Sequence, residues 1–398
     1  MHAPKNYKNR INTHLVWRLS LKIVYAAVGC AASIAASPCY SQSSVTIYGV
    51  LDTGVEYVSH VGPGRQNIFR MPGVTASVPT RWGITGKEDI GAGYQVLFTL
   101  ESGFDTRSGA LQQGGRMFGR QAWVGVSTPY GRVSFGRQYT AIYYALLEYD
   151  VIGPSINSIG SLDAYVPNAR SDNTIAYVFT SNGLTLAGTY SFGRDSAGTG
   201  NSPGQGTCAG QNPASFLQCR QWSAIVKYTG DHVGGAVAYD EQRGGPGAAA
   251  NFFDGQMPMP LTSSTDYDAR LLVSAYMRFA NVNFSGGWLD RRVKFVNSNP
   301  SIVRSDLWYF GASWTLRNDI VLASEFYRIV NSQHDTRASL ITARAMYLLS
   351  KRSAVYVQVG YMSNSAHAAY SVSTGGGGTT PAPGVNQSGT MIGIRHTF

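Results

Sequence analysis

Apolar and polar side chains alternate along much of the chain. The clearest run is SVTIYGVLDTGVEYVS, residues 44–59. One face of the run is apolar or aromatic and consists of Val45, Ile47, Leu51, Val55 and Tyr57. The other face is polar and includes Thr46, Asp52 and Glu56. A period of two predicts a β-strand, and this run is longer than the roughly 5–6 residues of an average strand. Because a strand tilted across a membrane needs roughly 9–11 residues, the pattern predicts long membrane-crossing strands.

Short and long connectors alternate between the predicted strands. The short connectors are residues 88–93, 128–131, 181–183, 229–234, 279–281, 316–319 and 349–353. The long segments are residues 58–80, 105–115, 139–172, 193–221, 244–266, 290–304, 330–336 and 363–388. Seven short turns and eight long loops separate sixteen strands. We therefore predict an all-β fold, a transmembrane antiparallel β-barrel of 16 strands, and a barrel of this size encloses an aqueous channel.

The chain ends inside an alternating run, GTMIGIRHTF, residues 389–398. A closed barrel must end where its last strand meets its first, whereas a soluble protein seldom leaves a terminal strand with an exposed aromatic end. We therefore predict that Phe398 lies at the closure of the barrel. The run 307–314 differs from the others because both of its faces are apolar or aromatic, which would suit a contact between subunits.

The amino-terminal residues have the composition of a secretory signal. Five basic residues and no acid precede an uncharged run at 23–36; they are Lys5, Lys8, Arg10, Arg18 and Lys22. We predict a signal peptide at 1–41 and a barrel domain at 42–398. Without those five residues the 32 basic and 22 acidic side chains become 27 and 22, a net charge of +5. The remaining basic residues are scattered and not clustered, so no nucleic-acid partner is expected.

Motifs for catalysis or metal binding are absent from the sequence. Cys208 and Cys219 are the two cysteines after the signal, and in an exported protein they predict a disulfide that pins a long loop, because their spacing does not fit a zinc site. No GxSxG, HExxH or GxxxxGK[ST] motif occurs. We expect no enzyme activity, no cofactor and no metal, although His60, His334 and His367 fall in or near loops on one side and leave an outer-membrane hydrolase as an alternative.

Five segments together carry a family resemblance. They are SSVTIYGVLDTGVEY, SVPTRWGITGKEDIGAGYQVLFTLESGFD, FGRQAWVGVSTPYGRVSFGRQY, ARSDNTIAYVF and MIGIRHTF. From about Ser43 to its end the chain resembles the general diffusion porins of Gram-negative outer membranes, of the β-proteobacterial type. The resemblance implies a homotrimer in contact with outer-membrane lipid and lipopolysaccharide. It also implies short periplasmic turns, long extracellular loops and a third loop folded into the lumen.

The resemblance also places a pore constriction. The third long segment, 139–172, holds the candidate acids Glu148, Asp150 and Asp163, and which of them lines the constriction is open. The candidate basic wall residues match the family's motifs TRWGI, FGRQAW, FGRQY and ARSDN; they are Arg81, Arg120, Arg137 and Arg170. Lys87 is a weaker candidate because it approaches a short turn. Basic groups opposite loop carboxylates would create a transverse field that sorts solutes.

These observations predict a water-filled channel for passive diffusion of small hydrophilic solutes and ions, with a weak anion preference. A substrate-selective channel for a sugar or small organic acid is a second possibility, with an aromatic track formed by Tyr143, Tyr144, Tyr149 and Tyr165. A soluble exported β-sandwich is the remaining alternative, and it would not need detergent.

Overall fold

Long antiparallel strands make up most of the protein. The computed structural model describes residues 43–73, 75–197, 202–210, 212–296, 300–373 and 377–398, so the predicted signal peptide lies outside the described residues. The sixteen barrel strands are β1 Ser44–Val61, β2 Arg81–Gly91, β3 Tyr94–Gly103, β4 Gln121–Thr128, β5 Gly131–Tyr139, β6 Arg170–Ser181, β7 Leu184–Ser191, β8 Gln221–Thr229, β9 Val233–Arg243, β10 Tyr267–Phe279, β11 Val282–Lys294, β12 Ile302–Arg317, β13 Ile320–Asn331, β14 Thr336–Leu348, β15 Ser353–Asn364 and β16 Gln387–Thr397.

Each strand pairs with its neighbours in sequence, and the sheet closes on itself. β16 lies antiparallel to β1 from Val50 opposite Thr397 to Val58 opposite Gly389. Gly49 and Phe398 exchange both backbone hydrogen bonds, each with an N···O distance of 3.1 Å. The predicted 16-stranded closed barrel is confirmed, and the last residue lies at its seam. A short strand, Gln66–Arg70, adds to the outer end of β1.

Two kinds of connection alternate around the barrel, as the sequence predicts. The seven short turns contain two to four residues. In the turn between β6 and β7, Asn182 and Gly183 have φ angles of 48° and 79°, the left-handed backbone that tight hairpins require. The loops on the other side are longer, except that the seventh, residues 332–335, is as short as a turn. Among the described residues, no helix is long and apolar enough to cross a membrane.

The third loop, residues 140–169, folds inside the barrel. It begins with helix α1, Ala141–Leu147, and contains two 3₁₀ turns, Ile159–Ser161 and Val166–Asn168. Hydrogen bonds join it to the inner faces of three strands. The Ile142 amide donates to Ser223 Oγ of β8 at 3.1 Å, and Ser274 Oγ of β10 donates to the Ala145 carbonyl at 2.7 Å. Thr342 Oγ1 of β14 donates to the Asn157 carbonyl at 2.8 Å. The loop therefore occupies one side of the lumen.

The docked loop explains the two apolar faces of β12. The inward residues Leu307 and Tyr309 are buried in one cluster with the α1 residues Ile142 and Leu146. A Cβ added at the inward Gly311 would lie 2.6 Å from Val151 Cγ2 of the loop, so only glycine leaves room there. The apolar inner face of β12 therefore packs against the third loop, and the subunit contact suggested by its sequence is not needed to explain it.

A disulfide and a small apolar cluster hold the fourth and fifth loops. Cys208 and Cys219 are bonded to each other, with a Cα to Cα distance of 5.1 Å. Both sulfur atoms are buried among Phe252 of the fifth loop and Val293 and Val303 of the wall. The fifth loop also has a short hairpin of Ala249–Ala250 with Met259–Pro260. These contacts fix the loops around the outer mouth of the barrel.

Candidate pore constriction

The residues that face the lumen follow from strand parity. On β3, Thr99 and Glu101 are buried, whereas Phe98 and Leu100 are partly exposed. On β10 the inward residues include Asp268, Arg270 and Leu272. Outward residues are apolar and exposed; Val45 and Ile47 of β1 have 66% and 65% of their surface accessible. This is the arrangement of a barrel with lipid outside and a polar interior.

Two of the predicted wall arginines meet at one carboxylate. Arg120 Nε donates to Glu101 Oε1 at 2.8 Å, and Arg81 Nε lies 3.5 Å from Glu101 Oε2. The Tyr48 hydroxyl donates to the same carboxylate at 3.0 Å. The Arg81 side chain is 27% exposed, whereas those of Arg120 and Glu101 are almost fully covered. Arg81 is therefore the member of this group that is most open to solutes.

Arg170 joins the group through a tyrosine. The hydroxyl oxygen of Tyr139 accepts hydrogen bonds from Arg120 Nη2 at 2.6 Å and from Arg170 Nη2 at 2.8 Å. The Arg170 guanidinium carbon also lies 4.4 Å from the centre of the Tyr139 ring, a cation–π contact. We call Arg81, Glu101, Arg120, Tyr139 and Arg170 the arginine cluster. Its three guanidinium groups and one carboxylate carry a net charge of +2.

Arg137 belongs to a different charge network. Its Nη1 is 2.6 Å from Asp172 Oδ1 and its Nε donates to the Gly119 carbonyl. Arg116 lies 3.3 Å from Asp172 and 2.5 Å from Asp195, so two cations and two anions balance each other. The strand register of β5 shifts between Gly136 and Gln138. This irregularity interrupts the alternation of inward and outward residues on β5 beside Arg137.

The acids of the third loop pair with residues other than the four predicted arginines. Asp163 Oδ2 is 2.9 Å from Arg270 Nε of β10. Asp150 Oδ1 accepts from the Tyr327 hydroxyl of β13 at 3.0 Å. The carboxylate of Glu148 is 2.6 Å from Lys227 Nζ of β8. The loop docks on the far wall, and so its carboxylates pair there, while Glu101 of the near wall is the partner of Arg81 and Arg120.

Two carboxylates converge where the loop meets β13. The Tyr327 hydroxyl is 3.0 Å from both Asp150 Oδ1 and Glu325 Oε2, and the amides of Ile152 and Gly153 donate to Glu325 and Asp150 at 2.9 and 2.7 Å. One hydroxyl hydrogen cannot serve both acids. Burial raises the pKa of Asp150 above its ordinary value, which allows a proton to be held at this junction.

The four tyrosines of the predicted aromatic track separate into two pairs. Tyr149 and Tyr165 are buried against the wall, where Tyr149 contacts Tyr276 and the Tyr165 hydroxyl donates to Asp240. Tyr143 and Tyr144 lie beside the arginine cluster; the Tyr143 ring stacks on Tyr139 at a centroid distance of 3.8 Å. Only the second pair is placed to meet a solute next to the arginines.

Other predicted residues lie away from the constriction. Lys87 is exposed near the short-turn end of β2. His334 Nδ1 is 2.6 Å from Asp254 and His367 Nδ1 is 2.9 Å from Asp335, which are pairings between neighbouring loops. His60 Nδ1 is 3.0 Å from the Asn386 carbonyl. These contacts tie loops together at the outer mouth.

Three residues of these networks were not predicted from the sequence: Glu101, Tyr139 and Arg270, the partner of Asp163. Glu101 could have been found from the alternation of β3, because Phe98 and Leu100 are apolar and face outward, which places Glu101 on the inward face. Tyr139 gave no such indication, because its role depends on Arg120 and Arg170 approaching it from two other parts of the chain.

Comparisons with known proteins agree with this architecture over nearly the whole described chain. A family model described as Gram-negative porin matches residues 26–389. Outer membrane porin protein 32 from Delftia acidovorans is 27% identical over 363 residues, which are 90% of this chain and 95% of that protein. An anion-selective porin from Comamonas acidovorans superposes with a TM-score of 0.73 at 21% identity, covering 90% of this chain and 100% of that one. The trimer form of OmpT from Vibrio cholerae superposes with a TM-score of 0.61 at 15% identity, covering 89% and 99%.

Proposed function

The chain belongs to the Gram-negative porins of the outer membrane, and we propose that its lumen is a water-filled channel in which the arginine cluster gives a weak preference for anions. Small hydrophilic solutes and ions would cross by passive diffusion. No step of this function requires a cofactor or a chemical reaction, and members of the family are channels rather than enzymes.

The arginine cluster is the observation that supports the anion preference. Arg81 and Arg120 pair with one carboxylate, Glu101, and Arg170 joins them through Tyr139, so the group retains a net positive charge of +2. Charged groups at a narrow point set the ion preference of a pore through the local field. Arginine remains charged when partly shielded from water, and its planar group can stack on Tyr139 while it donates hydrogen bonds.

The docking of the third loop adds to this preference. Its acids Glu148 and Asp163 are held by Lys227 and Arg270 on the wall, and their charges are thereby compensated. A compensated carboxylate contributes little to the field at a distance. The third loop therefore contributes little negative charge opposite the arginine cluster, and the excess positive charge near Arg81 dominates the local field.

We also propose that the barrel assembles as a homotrimer surrounded by outer-membrane lipid and lipopolysaccharide. The OmpT neighbour of known structure has a trimer form. The broad apolar outer surface of β1, with Val45 and Ile47 exposed, is suited to contact with either lipid or a second copy. The amino-terminal residues 1–41 are proposed to be the cleaved export signal.

A second candidate is a channel selective for a small aromatic acid. Tyr143 and Tyr144 lie beside Arg120 and Arg170, so an aromatic ring and a carboxylate could be held together. Uptake that saturates with concentration, together with block of the current by the solute, would support this candidate. Flux that rises linearly with concentration would support the general channel.

Single-channel current across a planar bilayer with a potassium chloride gradient tests the proposed function. We expect stepwise openings in groups of three and a zero-current potential whose sign is set by chloride. A potential set by potassium would contradict the proposed anion preference. Folded protein that gives no current would contradict the open channel itself.

A further inference from the structure

Part of the first loop, which joins β1 to β2, also folds into the barrel. We call residues 75–80, with the sequence TASVPT, the first-loop segment. Its residues Ala76 and Ser77 are buried. Ala76 belongs to one apolar cluster with Tyr356 of β15 and Met391 of β16, whose side chains face inward. The first-loop segment therefore lies on the inner face of the wall.

One carboxylate of the wall holds the first-loop segment. Asp52 of β1 is buried on the inner face, and its Oδ2 accepts hydrogen bonds from the Ser77 hydroxyl and, at 2.8 Å, from the Val78 amide. Thr80 Oγ1 donates to the Asp52 carbonyl at 2.9 Å and accepts from the Asp52 amide at 3.1 Å. Because bonds to a carboxylate are stronger than bonds between neutral groups, Asp52 is a firm attachment point.

Tyr356 completes the attachment from β15, on the other side of β16. Its hydroxyl donates to Asp52 Oδ1 at 2.6 Å and accepts from the Ser77 amide at 3.2 Å. The phenol thus joins the carboxylate to the backbone of the first-loop segment and adds no charge. Replacing Tyr356 with Phe would remove both hydrogen bonds and leave the net charge of the lumen unchanged.

The first-loop segment ends next to Arg81, the member of the arginine cluster that is most open to solutes. Arg81 Nη1 donates to the Pro79 carbonyl at 2.9 Å, whereas its Nε lies 3.5 Å from Glu101 Oε2. Similarly, Arg170 Nη1 donates to the Asn168 carbonyl of the third loop at 3.2 Å. Two arginines of the cluster are therefore each bonded to the backbone of a segment that folds inward.

The first-loop segment and the third loop also contact each other. The Ile156 amide of the third loop donates to the Ala76 carbonyl at 2.8 Å. Thr75 and Pro79 line a recess of about 10 Å³ together with Asn168 of the third loop. A recess of this size holds about one water molecule. The first-loop segment therefore occupies the space beside the third loop and narrows the lumen there.

We propose that the first-loop segment is a second constriction element and that Tyr356 and Ser77 are positioning residues for Arg81. By fixing the Pro79 carbonyl they hold the Arg81 guanidinium where its charge acts on passing ions. Release of the segment would widen the lumen beside Arg81, and the attraction of a charge for an ion weakens as distance and intervening water increase. The effect on ion preference rests on the proposed function, whereas the placement of Arg81 does not.

Modification of Arg81 by phenylglyoxal tests this placement without any measurement of ion flow. The reagent reacts with accessible guanidinium groups, and peptide mass spectrometry of folded protein gives the rate at Arg81. The variants are Tyr356→Phe, Ser77→Ala and the two combined, all of which keep the charge of the lumen. The matched control is Tyr361→Phe on the same strand, because Tyr361 is exposed on the outward face and its hydroxyl accepts from Asn386.

We expect the rate at Arg81 to rise about two- to tenfold in each single variant, as the loss of about one hydrogen bond implies. The control should leave the rate unchanged. Either single variant is sufficient if the other does not fold. A rate equal to that of the control in every folded variant would overturn the proposal.

The zero-current potential in a potassium chloride gradient separates this role from a purely structural one. The variants should move the potential from the chloride side toward zero. In an Arg81→Gln background they should have no effect, because the residue that they position is absent. An equal shift in both backgrounds, or no shift where Arg81→Gln alone gives one, would overturn the proposal. Faster modification of Arg81 in the variants, with no shift on Arg81→Gln, would contradict the proposed anion preference and support the placement of Arg81.

Discussion

Single residues determine the charge at the constriction. Glu101 balances one of three arginines, and Tyr139 gives Arg120 and Arg170 a common neutral acceptor. A carboxylate in the place of Tyr139 would cancel more of the positive charge, whereas a phenol satisfies the guanidinium groups without doing so. The position of each charge therefore depends on hydrogen bonds to a neutral group as well as on ion pairs.

Replacing Tyr139 with Phe tests this role. The change leaves Arg120 and Arg170 without their common acceptor, and unsatisfied buried donors cost about 1–3 kcal/mol. We expect the free energy of unfolding, measured by urea titration of folded protein, to fall by that amount. Tyr130→Phe is the control, because Tyr130 is 76% exposed. A loss no greater than that of the control would show that the hydroxyl does not hold the cluster.

The third loop is the element whose position determines the shape of the lumen. Asp150, Glu325 and Tyr327 join it to β13, and Arg344 Nη1 donates to the Ile152 carbonyl at 2.9 Å. The strands could be predicted because alternation is local to each of them. The docking could not, since Asp163 and Arg270 are 107 residues apart and nothing in either segment indicates the other.

The junction at Asp150 predicts a dependence on pH. Since burial raises the pKa of Asp150, the folded loop keeps its proton at pH values at which the released loop has lost it. The stabilisation is present below the ordinary pKa of an aspartate and is lost as the pH rises through the raised value. We expect the hydrogen-exchange protection factors of the Ile152 and Gly153 amides to fall as the pH rises above about 4, the ordinary pKa of an aspartate.

Asp150→Asn should make this protection nearly independent of pH, because the amide does not titrate. Glu148→Gln is the control, since Glu148 pairs with Lys227 away from the junction and should leave the pH dependence intact. Protection that rises with pH in the unaltered protein would contradict a proton held at this junction.

At the scale of the whole molecule, sequence pattern and structure agree most closely on the barrel. Sixteen strands, the alternation of turns and loops and the seam at Phe398 follow from periodicity and from the position of the carboxy-terminus. The family resemblance is confirmed by the match to the Gram-negative porin model. The lumen was less predictable, because its charges lie on many strands and their pairing depends on how the third loop packs.

The most direct test of the central claim is the zero-current potential of Arg81→Gln and Glu101→Gln channels in the same potassium chloride gradient. The two changes alter the charge of one cluster in opposite directions. If the cluster sets the ion preference, Arg81→Gln will move the potential toward potassium and Glu101→Gln will move it further toward chloride, on either side of the unaltered channel. Shifts in the same direction, or no shift in either variant, would contradict the account.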